Sequence, residues 1–224
     1  MVGSLGAAAW PELVDRRPFV ALPLGSCEQH GPHLPLDTDT RIAIALAERL
    51  ASVRLDVLVA PPLTIGASWE HAEFPGLLSI TSELLAATLI ELARSADWSA
   101  GLVLVNGHGG NAHGVATAVD VLRTEGRAVL SWWPRVAGGD AHAGRTETSV
   151  MLALDPALVR LERAEPGHTG AAGQAFTGGL RATSPNGVLG DPRGATAVEG
   201  AELLARLSAE LIDAFDAWRA ESDA

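Results

Sequence analysis

The sequence predicts an α/β protein, a three-layer α/β/α sandwich around a mostly parallel central sheet. Three observations carry this. Apolar runs of β type recur at 19–24, 55–60, 101–105 and 127–133, separated by stretches with helical periodicity. The runs are apolar on both faces, as strands covered by helices above and below must be. With 224 residues, 47% of them hydrophobic, the chain can bury a substantial core as one domain, 1–224.

In chain order, the first run is Phe19-Val-Ala-Leu-Pro-Leu24, and helical periodicity over 40–53 leads to the second. Helix 82–97 precedes the third run, Gly101-Leu-Val-Leu-Val105, and helix 112–125 follows it. A short helix, 147–154, comes after the fourth run. Residues 164–195 are rich in Gly, Pro, Thr and Ser without periodicity, and read as a long loop able to wall a site. The last helix, 196–219, places Val198, Ala201, Leu204, Leu207, Leu211, Ile212 and Phe215 on one core-facing stripe.

Net charge is −11, with no basic stripe to neutralise phosphates, so a nucleic-acid partner is not expected. The apolar runs fall far short of the ~20 residues of a spanning helix, and no secretory signal opens the chain. One cysteine, Cys27, allows no internal disulfide. The expectation is a soluble cytoplasmic domain without a membrane partner. Cys27 reads as a small buried thiol rather than a nucleophile, since its spacing to His30 does not make a Cys–His couple.

The chemistry concentrates after two of the apolar runs. Gly25-Ser-Cys-Glu28-Gln-His30-Gly-Pro-His33-Leu-Pro-Leu-Asp37-Thr-Asp39 packs five candidate ligands into twelve positions. Glu28 and His30 are two apart, so an extended backbone points both to one face. Pro32 and Pro35 forbid a regular helix and let Asp39 fold back toward that face. Asn106-Gly-His108-Gly-Gly-Asn111 follows the third run, with glycines that allow close backbone approach to an ion or substrate. His142-Ala-Gly-Arg-Thr-Glu147-Thr-Ser adds another imidazole and carboxylate. Carboxylates and imidazoles at strand ends suit Zn, Fe or Mn.

These motifs, with Gly187-Val-Leu-Gly-Asp191-Pro-Arg-Gly-Ala-Thr196, resemble the creatininase family of metal-dependent amidohydrolases from about Trp10 to the last helix. The resemblance implies a creatininase-like fold and two divalent ions per subunit, Zn or Fe(II) with Mn as a further option. Their ligands would be Glu28, His30, Asp39, His108 and Glu147, with Asp39 bridging. A charge count agrees, because three carboxylates and one hydroxide balance two divalent ions in a low-dielectric pocket. Creatininase carries a ligand carboxylate two residues after the motif histidine, where this chain has Gly110; Glu147 is expected to replace it. The reaction implied is C–N hydrolysis by a metal-activated hydroxide.

Other residues receive supporting roles. His142, outside the ligand set, is the candidate proton shuttle, catalytic together with Glu147. His33 is expected to brace its turn. Asn106 and Asn111 orient the His108 loop through side-chain hydrogen bonds. His71, with Glu70 and Glu73, lines the pocket mouth of its own or a neighbouring subunit, and His168 is a substrate contact or a plain loop histidine. The short length and Trp69-Glu-His71-Ala-Glu-Phe-Pro-Gly76 look most like the family's mycofactocin-system branch. That branch removes a C-terminal Val-Tyr-derived dipeptide from a modified precursor peptide. The alternative is a small-molecule amidohydrolase of the creatininase or formamidopyrimidine deformylase type. The resemblance also implies a homo-oligomer, a hexamer or larger closed ring, and in the sequence itself Trp69, Trp132 and Trp133 read as exposed candidates for interface anchors.

Overall fold

The computed structural model describes residues 3–14, 16–170 and 179–222. Four parallel strands form the sheet: β1 (Phe19–Leu24), β2 (Val57–Val59), β3 (Gly101–Asn106) and β4 (Val129–Trp132). Their order is β2-β1-β3-β4, which puts β1 and β3 side by side at the centre. The two central strands pair from Phe19↔Gly101 to Leu24↔Asn106 and so end level with each other. That register brings the two ligand-bearing loops together at the carboxyl edge of the sheet, where open α/β sheets form their sites.

The helices are α1 (Thr38–Val53), α2 (Ser82–Ser95), α3 (Ala112–Thr124), α4 (Arg145–Leu154) and α5 (Ala197–Ser222). Side-chain alternation along the strands builds two cores. Phe19, Ala21, Val103 and Val105 face the layer of α1, α4 and α5, while Val20, Leu22, Leu102 and Leu104 face α2 and α3. In the larger core, α1 contributes Leu46 and Leu50, and α5 contributes Leu204, Leu207, Leu211 and Phe215. Phe215 meets Phe19 edge-on with ring centroids 5.1 Å apart, a favoured aromatic geometry. Thr81 caps α2 by accepting the Leu84 N–H at 3.2 Å.

The predicted layers and parallel sheet are present, with shifted boundaries. The second strand is shorter than 55–60, because Leu55 is 83% exposed and the Pro61-Pro62 pair offers no N–H to a ladder. The fourth strand keeps only Val129–Trp132 of 127–133, and α2 stops at Ser95 rather than residue 97. The first residues of α5 differ from the predicted stripe: Val198 is 70% exposed, Ala201 is exposed, and Leu203 is buried instead. Trp69 is exposed as expected, but Trp132 is half-buried against the larger core, and half-buried Trp133 lies under Arg135. Cys27 is half-buried rather than buried, its Sγ 3.6 Å from Gly76 O.

Residues 171–178 of the expected loop lie outside the described residues. The rest is tied down. Gly167 N donates to Gly190 O, His168 N to Val188 O, and a helical turn spans Leu180–Thr183. Among the described residues, no helix is long and apolar enough to cross a membrane.

Candidate metal centre

The loop after β1 leaves the strand at Gly25, where an added Cβ would overlap Thr40 in the first turn of α1. This close approach lets Ser26 Oγ donate to Asp39 Oδ2 at 2.8 Å and Thr40 Oγ1 to Ser26 O at 3.2 Å. Asp39 thus enters the site from the first turn of α1, where a carboxylate also suits the helix dipole. The next strand supplies His108. Asn106 Nδ2 donates to His108 O at 2.8 Å, and Asn106 Oδ1 accepts the His108 N–H at 3.2 Å. Asn111 Nδ2 donates to Gly25 O and to Asn106 Oδ1, both at 3.1 Å, and so links the two loops.

The cluster is compact. His30 Nε2 is 3.1 Å from Asp39 Oδ1, and His108 Nδ1 is 2.9 Å from Asp39 Oδ2. Glu28 Oε2 is 3.1 Å from His108 Nε2, and Glu28 Oε1 is 3.2 Å from His71 Nε2 and 3.8 Å from His142 Nδ1. The His142 ring packs against His30 and His71, with centroids 4.4 and 4.6 Å away. Glu147, from α4, accepts the Ala143 N–H at 2.6 Å. A cleft of about 470 Å³ opens above, lined by Asp39, Glu70, His71, His108, His142 and Glu147 among others.

Charge explains how so many ionisable groups coexist. Burial pushes Glu28 up to about 7 and Glu147 up to about 6. Burial works against a charged His30, but Asp39, Glu147 and Glu28 outweigh it and lift His30 to about 10. The same contest, won by Glu28 and Asp39, lifts His108 to about 9. Asp39 stays well below the usual carboxylate range, because His30 and His108 overcome its own desolvation. Burial and neighbouring positive imidazoles hold His71 near 3 and His142 well below 6.5. His142 therefore begins as a neutral base.

These residues fit divalent cations. Both Glu28 carboxylate oxygens are buried without a hydrogen bond, although the His71 and His108 imidazoles stand within ion-pair range. A cation would satisfy both. Three donor groups have ligand atoms within 4.8 Å of one another: Glu28–Asp39–His108, His30–Asp39–Glu147 and Glu28–His30–His142. Asp39 belongs to the first two. Mixed imidazole and carboxylate donors match Zn, Fe(II) and Mn.

Zinc added to metal-free protein near about pH 7.5 is expected to release protons, because ions must displace those held on His30 and His108. Protons are the competitor, so affinity climbs as pH rises toward the His108 and His30 values of about 9 and 10. Calorimetry in two buffers of different ionisation enthalpy reads the proton count, and zero release would contradict this picture.

Gly110 lies in a crowded part of the His108 loop. A Cβ there would overlap Ala67 O, His108 Nε2 and Glu70 Oε1, so this loop conformation cannot carry a longer side chain. Glu147 instead reaches the His30–Asp39 side from α4. Gly110→Ala should destabilise the fold by ~1–3 kcal/mol through overpacking and disturb His108. A thermal melt showing no shift would contradict the crowding.

The structure gathers Glu28, His30, Asp39, His108, His142 and Glu147, with Asn106 and Asn111 beneath. His33 lies one step away. Its Nε2 is 2.9 Å from Thr148 Oγ1, so it braces α4 beside Glu147 rather than its own turn. His71 lines the cleft as expected, but from its own chain and as a buried residue, with its Nε2 3.2 Å from Glu28 Oε1. Its neighbour Glu70 is the rim residue, 3.6 Å from His108 Nε2. His168 lines a separate cleft with Pro166, Thr183 and Asn186, so it is not brought to the cluster.

Sequence reasoning missed Ser26, Ser68 and Gln29. Ser68 Oγ lies 3.2 Å from His108 Nε2, and Gln29 Nε2 lies 2.9 Å from His71 Nδ1 and 3.1 Å from His142 Nε2. Ser26 and Gln29 flank Glu28 inside the first motif, a proximity that could have flagged them. The backing of His142 was also missed: Leu189 N donates to His142 O at 2.8 Å in an isolated antiparallel bridge.

Known proteins resemble this chain along most of its length. The family model "Creatininase: Creatinine amidohydrolase" matches residues 7–215. The mycofactocin precursor peptide peptidase of Mycobacterium tuberculosis (strain CDC 1551 / Oshkosh) is 45% identical over 238 residues, covering 100% of this chain and 94% of its own. The creatinine amidohydrolase of Pseudomonas putida is 31% identical over 194 residues, covering 71% of this chain and 74% of its own. The solved structure "Creatininase Mn" superposes with a TM-score of 0.80 at 28% identity, over 99% of each chain. Fold, donor set and relatives together make this a metal-dependent hydrolase acting on C–N bonds. The chain belongs to the creatininase family.

Proposed function

We propose that this protein is the peptidase of a mycofactocin system, hydrolysing the amide bond that releases a C-terminal Val-Tyr-derived dipeptide from the modified precursor. The observation that carries the chemistry is the sharing of Asp39 between two donor triads. The choice of substrate is supported by likeness to the mycobacterial peptidase along the whole chain, where the creatinine-hydrolysing relative covers less of it. Glu28, Asp39 and His108 would hold one ion, and His30, Asp39 and Glu147 the other, with zinc, iron or manganese as the metal.

Two such ions supply Lewis acidity that ionises water near neutral pH and polarises an amide carbonyl. The residues of the chain do the rest. Ser26 and the two imidazoles hold Asp39 ionised and fixed in place. Neutral His142, against Glu28, takes a proton from the attacking water and passes it to the departing nitrogen. Glu70, half-buried at the rim, faces the incoming chain. We also place the protein in the cytoplasm as a closed homo-oligomer, a hexamer or larger ring, with exposed Trp69 as an interface anchor.

The test is direct. Metal-loaded enzyme is incubated with modified and unmodified precursor, and the products are weighed by mass spectrometry. The dipeptide-derived fragment should appear from the modified precursor and vanish after chelation. No fragment at any metal loading would overturn the proposal, and rapid turnover of creatinine or a formamidopyrimidine with peptides inert would redirect it.

A further inference from the structure

The orientation of the buried Gln29 amide is fixed by its neighbours. Its Oε1 accepts the Gly31 backbone N–H at 2.7 Å, and a backbone amide can only donate, so Nε2 must face inward. The amide packs directly on Gly187, where an added Cβ would overlap it. Facing inward, Nε2 meets three groups: Gly187 O at 3.1 Å, His71 Nδ1 at 2.9 Å and His142 Nε2 at 3.1 Å. It has two protons to give.

The assignment follows by elimination. Gly187 O can only accept and takes one proton. His142 Nε2 also lies 2.8 Å from the Gln29 backbone carbonyl, which again can only accept, so that ring nitrogen carries its own proton and cannot receive another. The second Gln29 proton therefore goes to His71 Nδ1. We infer that Gln29 is a positioning residue that sets the tautomers of two site histidines, one through its side chain and one through its backbone. His71 keeps its proton on Nε2, facing Glu28 Oε1 at 3.2 Å. His142 turns a bare Nδ1 toward the same oxygen, 3.8 Å away. The inference deepens the proposed function and rests on it for one point, that the bare Nδ1 of His142 is what accepts the proton of water.

Long-range proton–nitrogen spectra of protein labelled with [15N]histidine, zinc-loaded, distinguish the two tautomers of each ring. The wild type should show His71 and His142 both protonated on Nε2. Gln29→Glu replaces the donor to His71 with an acceptor, so the His71 proton should move to Nδ1 while His142, held by the backbone, stays unchanged. Gln29→Leu should leave His71 a mixture and lower kcat by about 10–100-fold at unchanged zinc content, the range for groups that orient metal-site residues. A wild-type His71 protonated on Nδ1, or a Gln29→Glu or Gln29→Leu protein whose His71 keeps the wild-type tautomer, overturns the inference. Correct tautomers in an enzyme that releases no dipeptide remove the proposed function and leave the assignment standing; the reverse pattern does the opposite.

Discussion

Asp39→Asn should abolish hydrolysis, with kcat/KM falling by at least ~10³-fold. The asparagine keeps the shape of the side chain but removes the one charge that both donor triads share. Losing the several kcal/mol that metal ions contribute to such reactions corresponds to a factor of that order. Metal content per chain, read by elemental mass spectrometry, should fall at both positions together. The two imidazoles that Asp39 holds charged, His30 and His108, would lose their common partner and shift back down in pKa. Circular dichroism controls for folding, since Ser26 can still hydrogen-bond the amide. A variant with two ions per chain and wild-type rate would show that Asp39 is not shared.

His142→Ala should lower kcat by ~10²–10⁴-fold while metal content stays at the wild-type level. His142 is buried and neutral, and its Nδ1 stands 3.8 Å from Glu28 Oε1. Both features suit a proton carrier, and neither of the Asp39-sharing triads includes it. The third donor group, Glu28–His30–His142, provides the discriminating result. If the variant loses metal in step with activity, His142 is a ligand and the proton must travel another way. Added imidazole that restores part of the rate at full metal content would point to the carrier role.

Much of this layout could be read from the sequence. Strand β1 was legible to the residue because its six apolar positions end sharply at glycine, and β3 to within one residue, since polar Asn106 extends its apolar run. Edge strands were read too long, since one-sided pairing leaves no pattern to mark where hydrogen bonding stops. Within the site, groups that are chemically conspicuous were legible. Those whose role depends on crossing the chain were not. Ser68 comes from the segment after β2 and reaches His108 only after the sheet forms. Spacing along the chain carries no information about that meeting. Of the two readings of His168, the structure matches the plain loop histidine, which lines another cleft.

The placement of Asp39 in the first turn of α1, whose inner face fills the larger core, ties cofactor supply to the lifetime of the molecule. Anything that binds only the folded form adds stability by mass action, about 4 kcal/mol at a thousandfold excess over its dissociation constant. Scarcity of the ion should then do more than idle the enzyme, by loosening a helix that packs into the larger core and exposing the chain to proteolysis. Abundance in the cell becomes a gauge of metal nutrition, which pulse-chase labelling in starved and replete cultures would read as unequal half-lives.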